Sequence, residues 1–253
     1  MFTNAIVRQP CPEMTQGLTE AGLGIPEYTR AMDQHSAYVK ALESLKLLVQ
    51  VLEPDSMYPD STFVEDVALC VPGMAVLTNP GALSRNGERT KMRSILRSNF
   101  PIVESIEWPG TLDAGDVMKV DQHFYIGISQ RTNEEGARQL SQILESHHNT
   151  ASFVPLKEML HLKSCVSYLE NNNLLVAGEF ITHPAFQSFN RLEVDKDEAY
   201  AANSLWINGK VLVPEGFPKT RELIEQEGYE TIQLDVSEFR KLDGGLSCLS
   251  LRY

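Results

Sequence analysis

"FVEDVALCVPGMAVLTNPG", residues 63–81, reads as a strand, a Pro-Gly turn and a second strand. The plan returns in "LDAGDVMKVDQHFYIGISQ" (112–130): strand, tight polar turn, strand. A third copy, "SCVSYLENNNLLVAGE" (164–179), turns within its asparagine run. A fourth, "ANSLWINGKVLVPEG" (202–216), turns at Asn208-Gly209, a pair suited to the left-handed torsions of a two-residue hairpin. Val67, Val117 and Val166 open the first strands of three copies, about 50 residues apart. Self-similarity at that period points to a propeller or another repeat architecture.

The segments after the hairpins repeat too. A polar, helical stretch from about Asn86 to Arg97 precedes the extended run "PIVESIEW" (101–108). In "RTNEEGARQLSQILESH" (131–147), Ala137, Leu140, Ile143 and Leu144 recur at helical spacing behind Asn133 as N-cap, and "TASFVPL" is extended. The fourth copy runs into the helix "KTRELIEQEGY" and the strand "ETIQLD". "NAIVRQP" with the helix "PEYTRAMDQHSAYVKALESL" is an incomplete first unit. The tail "KLDGGLSCLSLRY" (241–253) can complete it, since a closed ring must join its termini. The expectation is one α/β domain, residues 1–253, of about five units, with Cys248 on a central strand.

Composition limits the partners. The 253 residues are 42% hydrophobic and 22% charged, as in a soluble globular protein. A net charge of -12 disfavours a nucleic-acid surface and favours a cationic small molecule. No apolar run is long enough to span a membrane, and the N-terminus lacks the pattern of a signal peptide. Cys11, Cys70, Cys165 and Cys248 are scattered, which fits reduced thiols in a cytoplasm rather than disulfides or a zinc site. No phosphate-binding glycine loop is present.

Polar residues collect where the repeats begin. Asp60, Glu65 and Asp66 precede one strand, Asp113 and Asp116 the next, and His161 a third. A carboxylate leading into a buried strand costs energy unless paired, so the convergence needs a reason. Cysteine, histidine and carboxylate together make an activated nucleophile, and further carboxylates would bind a cation such as guanidinium. Arg85 and Arg131, each just after a second strand, suit a carboxylate at the substrate's far end. Cation at one end and carboxylate at the other describe arginine or a relative.

At these positions the chain resembles the dimethylarginine dimethylaminohydrolases of the guanidine-modifying superfamily. The matching stretches include "GLTEAGLGIPEY", "YPDSTFVEDVALC", "NPGALSRNGE", "GTLDAGDVMKV", "FYIGISQRTNEEGA", "LHLKS", "NNLLVAGEF" and "KLDGGLSCLSL". The resemblance implies a five-bladed α/β propeller of pseudo-symmetric ββαβ units around a loop-covered substrate cavity. It implies Cys248 as nucleophile, His161 as general acid and base, and Asp113 as the acid that orients His161. Glu65 and Asp66 would hold the guanidinium, Asp60 and the Leu18 carbonyl the α-ammonium, and Arg85 and Arg131 the α-carboxylate. The Leu242 backbone would face the substrate's nitrogens, and residues 15–26 would form a lid. The implied reaction is hydrolysis of Nω-methylated arginine to citrulline through a covalent thiouronium, with no metal or organic cofactor. Expected partners are that small molecule and a second copy in a homodimer, with no nucleic acid and no membrane. The alternatives are an arginine or agmatine deiminase and, more remotely, a non-catalytic propeller that binds a partner.

Overall fold

A computed structural model describes residues 1–253. Its strands form five separate three-stranded sheets on one plan. β1 (Asn4–Arg8) and β2 (Leu48–Leu52) run parallel, joined through α1 (Tyr28–Ser44). β3 (Ala68–Val71) and β4 (Met74–Leu77) are antiparallel, and α2 (Glu88–Asn99) carries the chain to β5 (Ile102–Ser105), parallel to β4. β6 (Val117–Val120), β7 (His123–Ile128), α3 (Glu134–Ser146) and β8 (Thr150–Pro155) repeat this pairing. β9 (Val166–Tyr168), β10 (Asn173–Val176) and β11 (Asn190–Glu193) do so again. β12 (Leu205–Ile207), β13 (Lys210–Pro214), α4 (Pro218–Gln226) and β14 (Glu230–Leu234) form the fifth set. β15 (Leu251–Arg252) supplies the antiparallel strand that the first sheet lacks, with Ala5 opposite Arg252 and Ile6 opposite Leu251. The tail is docked.

Local chemistry explains the plan. Parallel neighbours need a long crossover, and the helices provide it. The middle strands are covered on both faces, so β4 and β10 are buried at every position. The Asn133 side chain caps α3, accepting from the Gly136 N–H at 2.7 Å. Asn208 and Gly209 take φ of 50° and 95°, as the hairpin requires. One unit departs from the pattern. Between β10 and β11 the chain makes two short 3₁₀ turns, Gly178–Phe180 and Pro184–Phe186, in place of an α-helix. Gly178 sits at φ 56° and Pro184 lacks an N–H, so no helix can run through that segment. No helix is long and apolar enough to cross a membrane, and all four cysteines are free thiols.

A 3₁₀ turn precedes the antiparallel strand of every sheet: Val64–Val67, Ala114–Asp116, Leu162–Ser164, Lys196–Ala202 and Ser247–Leu249. These turns touch in series. The one before β15 meets the one before β3, which meets those of β6, β9 and β12 in order. Residues far apart in sequence thus share one small region.

Candidate active site

A cavity of roughly 120 Å³ opens at this row of turns, bordered by Cys248, His161, Asp113, Asp66 and Asp60. Leu18, Leu242, Arg85 and Arg131 border it as well. Of the residues expected at the site from sequence, Glu65 alone lies outside it.

His161 Nε2 lies 3.1 Å from Asp113 Oδ2, both side chains buried. Burial alone would lower the His161 pKa, but Asp66, the Asp113 hydrogen bond and Asp116 outweigh it and raise it to about 9. Burial presses the other way on Asp113, yet its bond to His161 holds its pKa below the usual carboxylate range. The pair is therefore imidazolium and carboxylate at neutral pH. Gly81 N–H donates to Asp113 Oδ1 at 2.9 Å and fixes the carboxylate. The folded pKa of His161 exceeds its unfolded value of 6.5. Its contribution to stability is thus full below pH 6.5 and lost as pH rises through about 9. The loss is expected to approach roughly 3 kcal/mol and to vanish in His161→Ala, as denaturant titration across that window would measure.

Cys248 is half-buried, and its thiol pKa is pushed up to about 12. Burial is the main cause, with Glu65 and Asp66 adding to it; the Gly245 N–H, 3.4 Å from Sγ, and Lys163 oppose. At rest, then, the cavity is lined by a thiol and an imidazolium.

The glycine pair ahead of Cys248 owes nothing to left-handed torsions. A Cβ on Gly244 would stand 2.2 Å from the Phe63 ring, and one on Gly245 2.5 Å from Asn203. Neighbouring side chains occupy that space.

Asp66 and the two arginines define the polar ends. Arg85 Nη1 donates to Asp66 Oδ2 at 2.6 Å, while Asp66 Oδ1 is buried without a partner. A buried carboxylate oxygen with no donor is costly, and it suits a cation with N–H groups to give. Arg85 differs from expectation. It is buried and already engaged, with Nε on Glu88 Oε1 at 2.7 Å and Nη2 on the carbonyls of Asp60 and Phe63. Glu88, three residues on in "RNGE", neutralises it. Arg131 is half-buried and borders the cavity, with no ion pair or hydrogen bond on its guanidinium. Asp60 is buried with a raised pKa, burial outweighing Arg85 and the Leu18 N–H, which donates to Oδ1 at 3.0 Å.

Glu65 is placed apart from the other expected residues. Side chains of adjacent residues in a 3₁₀ turn diverge, so Glu65 and Asp66 point into different spaces. Glu65 accepts from Lys163 Nζ at 2.7 Å, Arg252 Nη2 at 3.1 Å and Ser247 Oγ at 2.8 Å. It borders a second cavity of roughly 170 Å³, walled by strands β3, β6, β9, β12 and β15. Three acceptor sites of its carboxylate are taken by Lys163, Arg252 and Ser247.

The segment over the cavity is tied at its near end. Thr19 Oγ1 donates to the Lys241 carbonyl at 2.7 Å and Glu20 N–H to Asp243 Oδ2 at 2.6 Å, while Leu23 and Ile25 lie exposed.

Asp116 has a use that its position alone did not reveal. It accepts from Ser129, Thr132 and the Leu162 N–H at 2.7, 2.6 and 2.9 Å, pinning the residue beside His161. The available signal was its register: "EDV" and "GDV" set Asp66 and Asp116 alike before the strand valine. Gly115 is tighter still. A Cβ there would lie 2.8 Å from Asp66 Oδ1 and 3.0 Å from the His161 ring. Gly115→Ala is expected to lower kcat by about 10²-fold by displacing either group, with far-UV circular dichroism unchanged. Asp66, Asp113 and His161 offer ligand atoms within 4.8 Å of one another, the one grouping of metal-binding type.

Residues 27–250 match the family described as N,N dimethylarginine dimethylhydrolase, eukaryotic. The chain is 50% identical over 254 aligned residues, the whole of both proteins, to the N(G),N(G)-dimethylarginine dimethylaminohydrolase of Pseudomonas aeruginosa. It superposes over the whole of both chains (TM-score 0.99, 49% identity) on a solved structure of that organism's enzyme, a cysteine-to-serine variant complexed with citrulline. Another solved structure, a histidine-to-glycine dimethylarginine dimethylaminohydrolase with an S-methyl-L-thiocitrulline adduct, superposes with TM-score 0.98 at 49% identity, again over both full chains. These relatives define the chain as a hydrolase acting on C–N bonds. The chain belongs to the dimethylarginine dimethylaminohydrolase family.

Proposed function

We propose that this protein hydrolyses Nω-methylated arginine to citrulline and methylated amine, with Cys248 as nucleophile. A cavity that holds the free Asp66 Oδ1, close to His161, and an unpaired Arg131 carries the reading. It supplies an acceptor for a guanidinium at one end and a cation for a carboxylate at the other. Asp60 borders the same cavity and suits the α-ammonium, with the Leu18 segment and Leu242 bordering it as well.

The resting protonation states order the steps. The guanidinium, seated beside Asp66, adds positive charge where carboxylates had held the thiol protonated, favouring loss of the thiol proton to solvent. Sγ then bonds to the guanidinium carbon. The C–N bond to the methylated nitrogen breaks, and His161, protonated and held by Asp113, gives its proton to the departing amine. Water attacks the thiouronium, losing a proton to the now neutral His161. The S–C bond breaks, leaving citrulline and the thiol.

The five sheets are best read as five blades of one propeller, since every sheet shares the strand order and β15 closes onto β1. That closure also supports a single domain over residues 1–253. A cytoplasmic setting fits the four free thiols. Incubation with Nω-methylarginines, arginine and agmatine should yield citrulline and methylamine or dimethylamine from the first class only. Comparable turnover of arginine or agmatine would move the assignment to a deiminase.

A further inference from the structure

Four of the five turns, with the residue on either side of each, bring Asp66, Asp113, His161 and Cys248 to the cavity. The fifth, Lys196–Ala202, ends at Asn203, which is buried and does not border it. We propose that Asn203 is a positioning residue that fixes the Cys248 loop against the segment carrying His161.

Its carboxamide makes three hydrogen bonds between those two segments. Nδ2 donates to the Lys163 carbonyl at 2.8 Å, two residues beyond His161, and to Ser247 Oγ at 3.1 Å. Oδ1 accepts the Ser247 N–H at 3.0 Å. Ser247 Oγ, held by Asn203, donates in turn to Glu65 Oε2 at 2.8 Å, so the residue before the nucleophile has no freedom to rotate. The same carboxamide packs flat on Gly245, where a Cβ would stand 2.5 Å from the Asn203 Cγ. Gly245 N–H is the backbone donor to Cys248 Sγ at 3.4 Å. Asn203 therefore fixes both the residue that donates to the thiol and the residue that precedes it. The charged groups acting on Sγ are Glu65 and Asp66, which raise its pKa, and Lys163, which lowers it.

Because Asn203 stays clear of the cavity, its loss should appear in the chemical step and not in binding. Asn203→Ala is expected to lower kcat about 10- to 100-fold with KM within about threefold, the scale of a modest misplacement of a reacting atom. Iodoacetamide labelling of Cys248, located by peptide mass, should shift to higher pH as the Gly245 N–H contact loosens. Asn203→Asp keeps the shape and the acceptor but removes both donors; it guards against a folding failure of the alanine variant and should show the same two changes. The inference rests on Cys248 being the nucleophile. Wild-type citrulline formation and its loss in Cys248→Ser test that separately, and the labelling profile reads the thiol whatever the substrate. A folded variant that only melts earlier, with wild-type kcat and labelling profile, overturns the proposal. So does a raised KM at unchanged kcat.

Discussion

Cys248→Ser is expected to cut citrulline formation by at least about 10⁴-fold while leaving the melting temperature almost unchanged. The site already resists forming an anion at this position. Burial, Glu65 and Asp66 push the thiol to about 12, and a hydroxyl starts from a much higher pKa and loses its proton still less readily. Binding a guanidinium can draw a thiol into its nucleophilic form, but falls far short for a serine. The fold should not suffer, because oxygen replaces sulfur on a half-buried side chain whose loop is held by Ser247, Asn203 and Tyr200 through backbone and neighbouring atoms. The variant should still bind substrate, which calorimetry can measure. Near-normal turnover would remove Cys248 from the chemistry.

The repeat was legible because each unit announces itself with turn residues at fixed spacing, and Asn208-Gly209 and Asn133 do what their chemistry dictates. The docking of the tail followed from closure, and β15 pairs with β1 accordingly. The missing α-helix between β10 and β11 was not assigned from sequence, although "HPAF" carries the proline that breaks it. At the site, Cys248, His161, Asp113 and Asp66 were legible as residue types at the starts of strands. Side-chain direction was not. Glu65 and Asp66 are neighbours of one charge, and only the local turn sends one to Lys163 and Arg252 and the other to the cavity. The partners that settle this, Lys163, Ser247 and Arg252, lie 98, 182 and 187 residues from Glu65 along the chain. No local pattern could have joined them.

The arginines provide the sharpest use of such placement. If both were unpaired, a substrate lacking its carboxylate would leave two bare cations. Arg85 already has Asp66 and Glu88 as partners, so Arg131 alone should be left without one. The decarboxylated counterpart of the best methylarginine should therefore be turned over with kcat/KM about 10²- to 10³-fold lower, as one partly buried charge pair is worth roughly 3–4 kcal/mol. Arg131→Ala should bring the methylarginine down by a similar factor, leave its decarboxylated counterpart nearly unaffected and so collapse the ratio, with little change in melting temperature. Arg85→Ala should behave differently. It strands Glu88 and one oxygen of Asp66 in the interior, so it should cost about 3–5 kcal/mol of folding stability and lower both substrates together. Measuring kcat/KM for the two substrates, alongside denaturant unfolding, in wild type and both variants separates the roles. If Arg131→Ala retained the wild-type ratio, Arg131 would not be the carboxylate's partner; if Arg85→Ala collapsed the ratio at full stability, the buried Arg85 would have to release Glu88 or Asp66 to bind substrate.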